Sequence, residues 1–250
     1  MPDAYLLVTH GSRDPRPQQA VQDLARRVAA RQPGLFVETA ALELQPLPLH
    51  KQIRQFSDRA FDLGMISIQV LPLFLLRGVH VMEDIPAEVE LARQQLDCDR
   101  SIYLRSHLGA HPQFVQLLAG VIAASPIAHS TKTTAWILLA HGSRRPGGNQ
   151  PVEAIAAHLA HADRVCVKAA YWSVAPSLDV QIQTLANAGY LHIGVVPYFL
   201  FAGGITEAIG QSIDRFRLQF PQVQFYLADP IGVSDALVEI CLDLSKSSGG

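Results

Sequence analysis

The chain has 250 residues, which at roughly 150 per domain fits one large domain or two small ones. Lys and Arg total 20 against 22 Asp and Glu, a net charge of −2 that lacks the basic footprint of a general nucleic-acid binder. With 49% hydrophobic and 17% charged residues, the composition excludes a disordered tail and supplies a core.

In chain order, the apolar run YLLVT predicts a buried parallel strand ending at His10. Asp14-Pro15 then predicts an N-cap and a proline in the first helical turn. Val21, Leu24 and Val28 recur at helical spacing up to Pro33-Gly34. Phe36 to Leu44 reads as the second strand. Leu49, Ile53, Phe56 and Ala60 mark a helix that stops at Gly64. Met65 to Leu75 reads as the third strand. Asp84 is expected to open a helix carrying Ile85, Val89, Ala92 and Leu96. Ile102 to Arg105 is the fourth strand, and Phe114, Leu117, Leu118 and Val121 mark a last helix.

The chain then repeats itself. YLLVTHGSRDPR (5–16) returns as WILLAHGSRRPG (136–147). QVLPLFLLRG (69–78) returns as GVVPYFLFAG (194–203), and YLRSHLGAH (103–111) as YLADPIGVS (226–234). Three collinear matches describe a tandem duplication joined by the polar stretch 125–134, with domains at 1–126 and 134–250. Strand alternating with helix four times per half predicts two open parallel sheets with helices on both faces, wound as in flavodoxin.

Ligands of such sheets bind outside the carboxyl ends of the strands. Those ends carry His10, Glu43 and, just past the third strand, His80. Two imidazoles and a carboxylate suit a divalent first-row metal and proton transfer alike. In the second half, His141 matches His10. Aligning Leu49 with Leu178 sets Trp172 against Glu43 and Ile205 against His80. The full trio is therefore expected only in the first half, with His141 vestigial. Ser12, Arg13 and Arg77, with Ser143, Arg144 and Arg145 of the repeat, are candidates for holding an anionic ligand. Neither GxGxxG nor a P-loop sits at a strand–helix junction, and GxSxG is absent. Cys98, Cys166 and Cys241 form no CxxC and read as small buried hydrophobes. The longest apolar run, Met65 to Leu76, is interrupted and falls short of the ~20 residues of a membrane helix. The expectation is a cytoplasmic protein that engages neither membrane nor nucleic acid.

Apolar-HGSR, then LEL at Glu43, then LPLFLLRGVHVMEDIP resembles the sirohydrochlorin chelatase family in its long, two-domain form. The resemblance covers nearly the whole chain. It implies two flavodoxin-like domains facing a central cleft, a monomer with internal pseudo-two-fold symmetry, and insertion of Co2+ or Fe2+ into sirohydrochlorin for cobalamin or sirohaem. The metal is then a substrate, with no permanently bound cofactor. His10 and His80 look like the metal-binding pair, with His10 also a proton acceptor. Glu43 looks like the acidic partner of the macrocycle, and Leu75, Leu76, Arg77, Gly78 and Val79 like part of the substrate wall. A non-catalytic tetrapyrrole or metal carrier using the same residues is the rival reading.

Overall fold

The computed structural model describes residues 4–96, 99–127, 133–163 and 165–246. The first half runs β1 (Ala4–Thr9), α1 (Pro15–Arg31), β2 (Phe36–Ala41), α2 (Leu49–Asp62) and β3 (Ser67–Pro72). A π-helical turn, His80–Asp84, then passes without a break into α3 (Ile85–Arg93). β4 (Ser101–Leu104), a short 3-10 turn (Leu108–Ala110) and α4 (Gln113–Ala123) complete it. The second half runs β5 (Thr134–Ala140), α5 (Gln150–Asp163), β6 (Cys166–Tyr171), α6 (Leu178–Asn187), β7 (His192–Pro197), α7 (Gly204–Gln219), β8 (Gln224–Leu227) and α8 (Asp235–Lys246).

Both sheets are parallel and four-stranded, in the orders β2-β1-β3-β4 and β6-β5-β7-β8. The flavodoxin-like alternation read from the sequence is therefore present twice. β1 is buried from Ala4 to Val8 because both its faces are covered. Ala4, Leu6 and Val8 pack with Ile53, Phe56 and Ala60 of α2 and Ile85, Val89 and Ala92 of α3. Each such fully buried Ile, Leu or Phe contributes about 1.5–3 kcal/mol. Ala135, Ile137 and Leu139 of β5 do the same with Ile182 of α6 and Ile209, Ile213 and Phe216 of α7.

Local signals act as read at several points. The Asp14 side chain accepts from Arg16 N–H and so caps α1, with Pro15 in its first turn. Gly64, at φ +79°, follows the end of α2. The strands are shorter than their apolar runs: β2 stops at Ala41 and β3 at Pro72. What lies beyond them, up to Leu44 and Leu75, is loop at the ligand-facing edge. Asp84 does not open a helix. Its backbone is already helical and its side chain makes no cap bond, because the helical path begins earlier, at the π-turn. Cys241 is fully buried, and burial pushes its thiol up to about 12; Cys166 is only partly covered. Cys98 and residues 128–132 of the 125–134 join lie outside the described residues.

Compact packing divides the chain differently from the repeat. One unit runs up to Phe114 and takes in the segment from Val233 onward; the other spans Val115 to Gly232. α8 thus belongs with the first sheet, where it packs on α1 and β3, and most of α4 belongs with the second unit. Within the first unit His111, almost fully buried, pins α8: its Nε2–H donates to Asp243 at 2.9 Å while Nδ1 accepts from Gln113 N–H.

Candidate metal centre

Chain order takes β1 outward to β2 and then back to β3 on the other side of β1. The β1/β3 gap is therefore the topological switch point, where ligands of such sheets bind. His10 follows β1 by one residue, Glu43 follows β2 by two, and His80 opens the π-turn after β3. Backbone bonds extend the sheet register into these loops: Leu42 N–H donates to Thr9 O, and Glu43 N–H to His10 O. Gly11 adopts φ +99°, which a side chain rarely does, and a Cβ there would collide with the Glu43 carbonyl oxygen.

The three side chains meet. His10 Nε2 lies 4.0 Å from Glu43 Oε2, and the two imidazole rings sit edge-to-face with centroids 4.7 Å apart. One ligand atom from each of His10, Glu43 and His80 falls within 4.8 Å of the other two. Among the described residues this is the trio of His, Cys, Asp or Glu with that spacing. Two donors each about 2.1 Å from one ion are at most about 4.2 Å apart. The trio is thus slightly wider than a closed coordination shell, and half-exposed side chains such as His10 and Glu43 can rotate to close it.

His80 is held and His10 is loose. His80 Nδ1 meets Asp84 Oδ2 at 2.7 Å, whereas His10 Nδ1 has only Gly11 O at 3.3 Å. Phe74 flanks both rings at 6.5 and 6.1 Å. Leu44, just after Glu43, is exposed with φ +59°, a conformation uncommon for a non-glycine residue and enriched at functional sites. Met82 of the π-turn is exposed as well. The centre is thus a polar trio with apolar side chains at its margin.

The remaining sequence-derived residues fall as follows. Ser12 is engaged locally, its Oγ accepting from Asp14 N–H, and Arg13 is exposed. Leu75, Leu76, Arg77 and Gly78 form the loop between β3 and the π-turn, and Val79 begins its helical path. Arg77 Nε–H donates to Met82 Sδ. The same guanidinium, after burial as the larger cause, holds the His107 imidazole below its ordinary pKa.

The second half needs one correction. The backbone, not Leu178, sets the equivalence: Trp172 N–H donates to Ala140 O and Ser173 N–H to His141 O, as Leu42 and Glu43 do in the first half. Glu43 therefore corresponds to Ser173, whose hydroxyl donates to His141 O, and Trp172 corresponds to Leu42. The β6–α6 connection is one residue shorter, which displaced the alignment based on helix positions. His141 is exposed and has neither a carboxylate nor a second imidazole at the matching positions.

Another one-residue difference lies at the π-turn. Pro72 pairs with Val8 as Pro197 pairs with Leu139, an offset of 125; beyond the turn, Ile85, Val89 and Ala92 match Ile209, Ile213 and Phe216, an offset of 124. The extra residue of the first half is the π-turn itself, closed by Ile85 N–H on His80 O five residues back. Sequence reasoning missed both the turn and Asp84. The H-x-x-x-D spacing was visible, but taking Asp84 as a helix start hid its pairing with His80.

Parallel α/β units with two imidazoles and a carboxylate gathered at the switch point define a protein of the flavodoxin-like class with a candidate metal site. The CbiX family model matches residues 4–125 and again 135–248, and the chain belongs to that family. It is 25% identical over 95% of its length to a sirohydrochlorin cobaltochelatase of Priestia megaterium, covering 77% of that protein. It is likewise 25% identical to a sirohydrochlorin ferrochelatase of the same organism, covering 87% of it. The solved structure of SirB from Bacillus subtilis with Fe3+ superposes with a TM-score of 0.80 at 24% identity, covering 98% of this chain and 94% of that one; this likeness speaks for the fold.

Proposed function

We propose that this protein inserts a divalent metal, Co2+ or Fe2+, into sirohydrochlorin, in cobalamin or sirohaem biosynthesis. The observation that carries the reading is the convergence of His10, Glu43 and His80 at one switch point of a chain whose relatives are named for this reaction.

Insertion requires the aqua metal to shed water and two pyrrolic N–H protons to leave. His10 and His80 replace waters with neutral nitrogen donors. Two such ligands leave coordination positions open, whereas a closed four-ligand site would retain the ion. Glu43, 4.0 Å from His10, accepts a departing proton, and an imidazole freed of metal accepts the other. Leu44, Phe74 and Met82 offer apolar surface to the flat ring, and the loop from Leu75 to Val79 borders it. Arg13, exposed in the loop after His10, is our candidate for the peripheral carboxylates. The second repeat, with Ser173 and Ile205 at the matching positions, offers no second metal trio among the described residues. The working form is a cytoplasmic monomer.

The test is anaerobic absorbance spectroscopy with sirohydrochlorin and Co2+ or Fe2+ offered separately, against a no-protein control. Wild type should accelerate growth of the metallated spectrum. His10→Ala and His80→Ala should lose at least about 10²-fold, Glu43→Gln about 10²–10⁴-fold, and Ile205→Ala should match wild type. Near-wild-type turnover in either His variant removes the site assignment. A spectral shift on mixing without acceleration by wild type leaves a carrier instead of an enzyme.

A further inference from the structure

His10 and His80 differ in one respect that the insertion chemistry by itself does not require. His80 has a carboxylate on its second nitrogen and His10 has none. A neutral imidazole carries one N–H and one lone pair, and the partner of one nitrogen decides which is which. Where Nδ1–H donates to a carboxylate, the lone pair is fixed on Nε2 and the ring becomes a more basic ligand of set orientation.

We propose that Asp84 is the positioning residue of this centre, holding His80 as the Nδ1–H tautomer with its Nε2 lone pair presented to the incoming metal. The proposal rests on the reading of His80 as a metal ligand. Three observations carry it. The Nδ1···Oδ2 distance of 2.7 Å is that of a charge-assisted bond. The Asp84 carboxylate is not consumed as a helix cap, since Asp84 sits inside a continuous helical path and makes no cap bond. The turn joining the two residues is a one-residue expansion of this half relative to the other. It closes i→i+5, and residues four apart lie on one face of the helical path, so Asp84 reaches His80. In the second half ligand and partner disappear together. His80 corresponds to Ile205 counted from the strand side or Gly204 from the helix side, and Asp84 to Ile209 or Ala208; none offers a ligand atom or a carboxylate.

The experiment uses the full chain labelled with ¹⁵N-histidine. Two-bond ¹H–¹⁵N spectra above pH 7.5, without metal, read the His80 tautomer, the resonance being assigned by its loss in His80→Ala. Co2+ binding is then titrated by absorbance. Wild type should show the Nδ1–H form. Asp84→Ala should populate the Nε2–H form and weaken Co2+ binding about 10–100-fold. Asp84→Asn keeps the shape of the side chain and guards against a folding defect. Its amide can turn an N–H toward Nδ1, so it should also populate the Nε2–H form and bind Co2+ more weakly, whereas a purely structural role for Asp84 predicts wild-type behaviour for Asn. Wild-type tautomer and Co2+ affinity in both Asp84 variants, with binding lost in His80→Ala, overturn the role of Asp84 and leave the site intact. Wild-type Co2+ affinity in His80→Ala overturns the site itself and this proposal with it.

Discussion

Gly11 shows how far the centre depends on single backbone positions. It lies between His10 and Ser12 and touches Glu43 only through the space its missing Cβ leaves. Gly11→Ala costs about 1–2 kcal/mol for the positive φ alone. The new methyl group must also push the Glu43 carbonyl, and with it the Glu43 side chain, away from His10. The expected outcome is a modest fall in melting temperature with a loss of metal insertion out of proportion to it. Equal activity in Gly11→Ala and wild type would show that the His10–Glu43 spacing does not matter. At this scale the sequence was informative about type and poor about partnership. His10, Glu43 and His80 were legible because strand order alone carries them to one edge. Asp84 was not, because its role exists only once the turn geometry sets it over His80.

Among elements, the π-turn is a difference between the two halves that falls at the candidate site. An α-helix in the second half occupies the place where the first half has π-turn plus helix, and the buried helix positions match, Ile85, Val89 and Ala92 with Ile209, Ile213 and Phe216, once the offset drops by one. The expansion is therefore not needed to pack the helix on the sheet. Deleting Val81 should restore an α-turn, since Val81 is only partly buried and precedes the first fully buried helix position, Ile85. We expect this deletion to leave the melting temperature unchanged or raised, while Co2+ binding falls by at least about tenfold as His80 turns about the helix axis away from His10. Thermal melts beside a Co2+ titration decide it: a large loss of stability with binding retained would make the turn a packing feature. Strand and helix positions were readable from periodicity because burial repeats along the chain. The π-turn was not readable, because one inserted residue alters no hydrophobic period and shows only when the two halves are compared in space.

For the whole molecule, the boundary of the repeat and the boundary of compactness are different things. The sequence repeats at 5–16 and 136–147, and the family model matches 4–125 and 135–248. Yet α8, at the end of the second repeat, packs on α1 and β3 of the first unit, tied there by His111–Asp243 and by Arg31 with Asp235 and Glu239. A chain of residues 1–126 therefore lacks the helix that covers one face of its sheet, where Leu237, Ile240, Cys241 and Leu244 are buried in the full chain. It should not be a stable monomer; light scattering should find pairs or larger assemblies, in which α4 of another copy can take the place of α8. A monodisperse monomer with the melting temperature of the full protein would contradict this. No helix among the described residues is long and apolar enough to cross a membrane. By itself the sequence determined the duplication, the parallel α/β class, the cores and the three converging side chains, since these follow from periodicity and chain order, which are properties of neighbours along the chain. Only the tertiary structure decided that Ser173 is the counterpart of Glu43 in the second repeat, that Asp84 bonds His80, and that α8 returns to the first unit. Each of these depends on which backbone groups and faces meet across long separations, and no local pattern records that.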